Sequence, residues 1–175
     1  MPPPSKRRGL PTAVIDNTLL SRLVRLEVAE FLPLLFKQVR IPPEVKREAY
    51  KAPHKGKRRL RKLIKEMTGY FVDCLEADEG VKLILKADLD DGEAAAIAQA
   101  DFTESVLLLD ERKGYERAEK MEVRTIRTAN LLIMMKEAGA IKEVKPYLQK
   151  LVNEMGFYLR ADVFQQLLDQ AGECS

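Results

Sequence analysis

Residues 105–110, Ser-Val-Leu-Leu-Leu-Asp, are the run on which the fold turns. A continuous apolar stretch that ends abruptly at an aspartate predicts a short strand covered on both faces, the kind found inside a parallel sheet. Upstream, Thr12-Ala13-Val14-Ile15 has the same build and also stops at an aspartate, Asp16. Leu19, Leu20, Leu23 and Leu26 then fall at helical spacing, and a second helix is expected from Ala29 to Lys37. Val39-Arg40-Ile41 reads as a short extended run closed by Pro42-Pro43, and proline in a first helical turn suits a helix through Glu44, Val45 and Glu48. Over residues 55–67, KGKRRLRKLIKEM sets Leu60, Leu63, Ile64 and Met67 on one face and cations on the other, which predicts a basic amphipathic helix. Phe71 to Leu75 is expected to be extended, and Asp91 to Ala100 is an alanine-rich helix of high propensity. Beyond Asp110, a helix from Arg112 to Met121 leads to an extended Val123–Ile126, then to helices near 128–138, 144–154 and 160–170. Strands alternating with helices predict an α/β fold around a mainly parallel sheet of four or five strands.

The chain has 175 residues, 46% hydrophobic and 33% charged, which suits one globular domain, read here as residues 12–172. Residues 1–11 carry three consecutive prolines and three cations and are read as a flexible tail. That tail is basic but precedes no apolar stretch, so it makes a poor secretory signal, and a cytoplasmic protein is expected. Every apolar run is broken by charge short of the roughly 20 residues of a membrane span, so no membrane partner is expected. Two cysteines, Cys74 and Cys174, and one histidine, His54, leave no zinc cluster and no thiol framework. Charge is uneven: residues 1–67 hold 17 Lys and Arg against 6 Asp and Glu, and residues 68–175 hold 13 against 21. The basic part points to a polyanion and the acidic part to a cation.

Open parallel sheets bind ligands beyond the carboxyl ends of their strands. A shared sheet would bring Asp16 and Asp110 to one such edge, which makes them candidate ligands of a hard divalent cation such as Mg²⁺ or Mn²⁺. Glu48 and Glu93, each on a predicted helix, are further candidates. Each acid also has a simpler duty. Asp16 suits capping of the helix near Thr18, Asp110 suits capping of the helix near Arg112, Glu93 suits a first helical turn, and Glu48 suits a solvated helix face.

The segments AVIDNTLLSRL, VRIPPEVKREA, LDDGEAAAIAQA, LLLDERKGYERA and TIRTANLLIMMKEAGAI together resemble a PIN domain, the metal-dependent ribonuclease fold of the VapC-type toxins. The resemblance runs from residue 12 to about 171, and the LDDGEAAAI and LLLDERK pair is its most specific part. It implies a three-layer α/β/α nuclease in which Asp16, Glu48, Glu93 and Asp110 hold Mg²⁺ or Mn²⁺ and carry catalysis, with Thr18 supporting the cluster. It also implies an RNA substrate, a homodimer and a small antitoxin protein. Glu93 stands where many PIN domains have aspartate, so Asp90 and Asp91 are alternative ligands, and Glu111 is another. No nucleophilic side chain is required by such chemistry.

The 55–67 helix has a functional and a plain reading. Lys57, Arg58, Arg59, Arg61 and Lys62, joined by Arg112, would track an RNA phosphate backbone; alternatively the helix is a solvated face paired with acidic groups. Tyr70 and Tyr115 are expected in core or rim packing, and Cys74 as a buried thiol. The rival function is a non-catalytic PIN-like module that binds nucleic acid or regulates without turnover.

Overall fold

Strand β1 (Thr12–Ile15) lies at the centre of a five-stranded sheet with β2 (Gln38–Ile41), β3 (Phe71–Asp73), β4 (Val106–Leu108) and β5 (Thr125–Ile126), in the order β3-β2-β1-β4-β5. All neighbours are parallel. The computed structural model describes residues 9–51, 55–74 and 79–173, with side chains at all of these except 48–51 and 55–57. The sequence-based expectations at His54, Leu75, Cys174, the first eight residues of the tail and the Glu48 and Lys57 side chains therefore lie outside the described residues. Around the sheet run α1 (Asn17–Leu26), α2 (Leu32–Leu35), α3 (Pro43–Lys51), α4 (Lys55–Glu66), α5 (Glu79–Leu85), α6 (Asp91–Phe102), α7 (Arg112–Lys120), α8 (Thr128–Glu137), α9 (Lys145–Met155) and α10 (Ala161–Gln170).

The layers follow from the two-residue period of the strands. Ala13 and Ile15 of β1, with Val106 and Leu108 of β4, face a core built with Leu19, Leu20 and Leu23 of α1, Leu60 of α4, Leu132 of α8 and Leu148 of α9. Val14, Leu107 and Leu109 face the other way, onto Leu85 of α5, Ala94 and Ile97 of α6 and Ala118 of α7. Each such valine, leucine or isoleucine, fully buried, contributes about 1.5–3 kcal/mol. This is the three-layer α/β/α arrangement, with the central strands β1 and β4 apolar on both sides as their sequence predicts.

Helix α6 has no solvent stripe: every residue from Gly92 to Ala100 is buried. It touches α3, α5 and α7 as well as β1 and β4. Alanine on all sides is what such close approach requires, since a longer side chain on any face would push a neighbour away.

Local departures have physical causes. The helix expected over Ala29–Lys37 is a 3₁₀ turn at Ala29–Phe31 followed by the single turn of α2, because Phe36 turns extended to enter β2. The extended run expected to reach Leu75 stops at Asp73; Cys74 lies just past β3, half-buried, its thiol pushed up to about 12 by burial. Helix α5 was absent from the sequence reading, its apolar spacing being hidden by Leu83 and Ile84, both exposed. Tyr70 is buried as expected and its hydroxyl donates to the Phe36 carbonyl at 3.3 Å.

The chain's last described residue closes the structure. Val144, the N-cap of α9, offers no side chain to the helix start. Glu173 supplies it: Oε1 accepts from the Val144 N–H at 2.6 Å and from Lys136 Nζ at 2.7 Å, and Oε2 from the Lys145 N–H at 2.9 Å. Burial pushes this carboxyl up, but the Lys136 bond and the two backbone donors outweigh it and leave the group below its ordinary value. A depressed carboxyl stabilises the fold above its unfolded pKa and loses that contribution as pH falls through the folded one. Glu173→Ala should therefore lower stability by about 1–2 kcal/mol at neutral pH, with the gap to wild type closing under acid, as read by urea unfolding at several pH values.

Candidate active site

The carboxyl edge of the sheet collects the candidate acids. Ile15 of β1 pairs with Leu108 of β4, so Asp16 and Asp110 leave adjacent strands in the same direction. The Asp16 N–H donates to the Leu108 carbonyl at 3.1 Å, carrying the ladder one residue past the strand. Both residues are 3% exposed.

Asp16 is the N-cap of α1, its Oδ2 accepting from the Thr18 N–H at 2.8 Å. The capping duty expected of Asp16 is thus real. Thr18 takes part through its backbone. Asp110 does not cap α7, whose N-cap is Glu111 without a side-chain bond. It reaches instead to the start of α8, where Thr128 donates its N–H to Oδ1 at 2.8 Å and its hydroxyl to Oδ2 at 2.6 Å. Arg22 of α1 adds Nη1 to Oδ2 at 2.7 Å, and Arg127 holds the Asp110 carbonyl at 2.9 Å. Such charge-assisted bonds are worth about 1.5–3 kcal/mol each. Three of the roughly four acceptor positions of the Asp110 carboxylate are filled, which leaves one for a ligand.

Glu93 is the third acid at this edge, 8% exposed in the first turn of α6. It forms a reciprocal capping box with Asp90: the Glu93 N–H donates to Asp90 Oδ1 at 2.8 Å, and the Asp90 N–H to Glu93 Oε2 at 3.3 Å. Burial, then the charges of Asp90, Asp16 and Glu111, push its carboxyl up to about 7, against the backbone bond from Asp90. Among the described residues no cation is paired with it. Asp91, by contrast, is exposed and bonded to Lys86 at 3.0 Å, outside this group.

Glu48 is placed only by its backbone, on α3. One turn earlier on the same helix stands Glu44, which the sequence reading did not single out. It is buried, and Oε1 accepts from Lys82 of α5 at 2.6 Å while Oε2 is buried without a partner. Burial raises the Glu44 carboxyl, and the bond and charge of Lys82 bring it below its ordinary value.

Among the described residues no three acids are close enough to form a ready-made metal cage. The donors still suit a hard cation: carboxylate oxygens, buried, with one of them, Glu93, raised by its burial and then by its acidic neighbours. Asp16 and Glu93, with the open position of Asp110, are the groups that would hold it.

The cations expected to bind RNA are mostly engaged. Arg59 pairs with Glu27, Lys62 with Glu66 at 3.6 Å, and Arg112 with Glu116 at 2.7 Å. Arg58 is exposed and Arg61 half-buried on α4. Tyr115 lies under the Arg127 guanidinium, 5.7 Å from ring centroid to Cζ. Arg22 and Thr128 were missed by sequence reasoning, although an arginine between the leucines Leu20 and Leu23 of α1 and a threonine opening α8 behind the edge strand are the signals that mark them.

A carboxyl raised in the folded state costs stability wherever pH forces it to ionise, so wild-type stability should fall as pH rises from about 4.5 to about 7. Glu93→Gln keeps the capping geometry without the charge. It should be more stable than wild type by about 1–3 kcal/mol at pH 8 and nearly equal at pH 4, measured by urea unfolding.

With this geometry in place, comparison with known families is direct. A PIN-domain family model matches residues 12–173, almost all of the chain. Among curated proteins, none matches it. The chain belongs to the PIN-domain family, a family of nucleases that act on nucleic acids and typically use divalent metals.

Proposed function

We propose that residues 12–172 form one nuclease domain that hydrolyses RNA phosphodiesters internally with Mg²⁺ or Mn²⁺, as a VapC-type toxin working as a homodimer and restrained by a small antitoxin. The observation that carries this reading is the convergence of Asp16, Asp110 and Glu93 at one sheet edge, with Glu93 buried and unpaired by any described cation. A divalent ion held there supplies a polarised phosphate and a water of lowered pKa. Glu48, from α3, is the proposed fourth ligand, and Thr18 the residue that fixes the Asp16 carboxylate.

The chain's own groups prepare that chemistry. Thr128 and Arg22 fix the Asp110 carboxylate in one rotamer, so no reorganisation is needed when a ligand arrives. Glu93, near neutrality, can take or release a proton at Oε1, the oxygen that does not accept from Asp90. Lys57, Arg58, Arg59, Arg61 and Lys62 of α4 and Arg112 of α7 are proposed to attract RNA. Their exposed ion pairs are weak in water and exchange readily for phosphate.

One observation favours a second reading. The Arg22–Asp110 pair already neutralises one of the acids, as a structural ion pair would in a non-catalytic nucleic-acid-binding module.

Incubation of the full chain with single-stranded and structured RNA separates the two. Cleavage is expected with Mg²⁺ or Mn²⁺ and none with EDTA. Asp16→Asn should abolish it, and because asparagine caps helices as well as aspartate does, circular dichroism and melting should be unchanged. Binding without cleavage in either metal would establish the non-catalytic module instead.

A further inference from the structure

The sequence places its conspicuous cations on α4, yet a second cationic face lies on α7. Lys113, Arg117 and Lys120 recur at helical spacing and line one wall of a groove of about 380 Å³, whose other wall is Ala87, Asp88 and Leu89 from the turn between α5 and α6. Among the described residues none of the three cations is in an ion pair. The acid beside them, Glu116, is bonded to Arg112.

Both walls begin at the candidate carboxylates. Leu89 directly precedes Asp90, whose capping box holds Glu93. Lys113 follows Asp110 and Glu111, and its neighbour Gly114 lies against the site: a methyl group added there would stand 3.7 Å from Glu93 Oε1 and 2.7 Å from Leu109 Cδ2. The missing side chain at Gly114 therefore lets α7 start close beside Glu93, with its cations leading away along the helix for about 10 Å.

An acidic edge repels a polyanion, so substrate backbone needs a cationic track that reaches it. Resting on the nuclease reading, we propose that the α7 groove seats the phosphodiester backbone of a single-stranded nucleic acid, with Lys113, Arg117 and Lys120 on successive phosphates outside the cleaved one. The groove offers phosphate-binding cations beside the apolar Ala87 and Leu89, with the acids Asp88 and Glu116 outnumbered in its lining, so it reads charge and not base sequence.

The test uses the full chain with a fluorescein-labelled single-stranded 12-mer RNA and the DNA of the same sequence, by anisotropy in EDTA over a salt series. Lys113→Gln/Lys120→Gln should weaken binding of both by about 10–25-fold at 0.1 M salt and reduce the salt slope by about 1.4, from two lost phosphate contacts. The charge-matched control Lys142→Gln/Lys145→Gln, on exposed positions near the start of α9, should change neither. Wild-type affinity in the α7 variant, an equal loss in the control, a loss confined to RNA, or no binding by wild type would each overturn the groove. Metal-dependent cleavage by a wild type whose α7 variant still binds fully would reject the groove and keep the nuclease. Loss of binding in the α7 variant, with no cleavage by wild type in Mg²⁺ or Mn²⁺, would keep the groove and reject the nuclease.

Discussion

The parallel pairing of β1 with β4 is the constraint on which the rest depends. It sets Ile15 beside Leu108, and the Asp16 N–H extends the ladder to the Leu108 carbonyl. Two carboxylates are thereby delivered to one edge by backbone hydrogen bonds alone, before any side chain chooses a rotamer. A slip of one residue would move every inward side chain of β1 to the opposite face, exchanging Val14 for Ala13 and Ile15 between two cores that differ in shape. The position of the acids is therefore protected by the packing of the whole sheet.

The acids at that edge are managed in different ways. Asp110 is joined to three elements at once, through Arg22 of α1 and Thr128 at the start of α8, and its own position after β4. Asp16 and Glu93 are held chiefly by helix-capping bonds, which orient a carboxylate while leaving its charge in place. Glu93 registers its surroundings as a raised pKa, first through its burial and then through the charges of Asp90, Asp16 and Glu111. Farther out, Lys82 performs for Glu44 on α3 what Arg22 performs for Asp110.

Much of this was legible in the residues. Apolar runs ending at Asp16 and Asp110 identify parallel strands because a strand covered on both faces has no polar positions to spare. The convergence of the two aspartates follows from the direction common to parallel strands. What could not be read was the partner of each acid. Asp110 was matched to the nearest helix start in sequence, α7, whereas its donors come from α8 and α1, and only the fold brings those together. Glu44, one turn before Glu48 on α3, was not singled out because its burial and its bond to Lys82 of α5 arise only in the fold. The cationic face of α7 was obscured by the acids Glu111, Glu116 and Glu119, which alternate with the cations along the chain; of these Glu116 lines the groove, where Lys113, Arg117 and Lys120 outnumber it.

The strand order also has a consequence for how the protein comes into being. β1, β2 and β3 are neighbours in both sequence and sheet, whereas β4 joins β1 across nearly the whole first half of the chain. Closing so long a loop costs entropy before any contact repays it, so this seam is expected to form late in folding. The acids lie on either side of the seam. A growing chain can thus pair β1, β2 and β3 while the two aspartates are still apart, and the candidate edge comes into existence only when β4 docks.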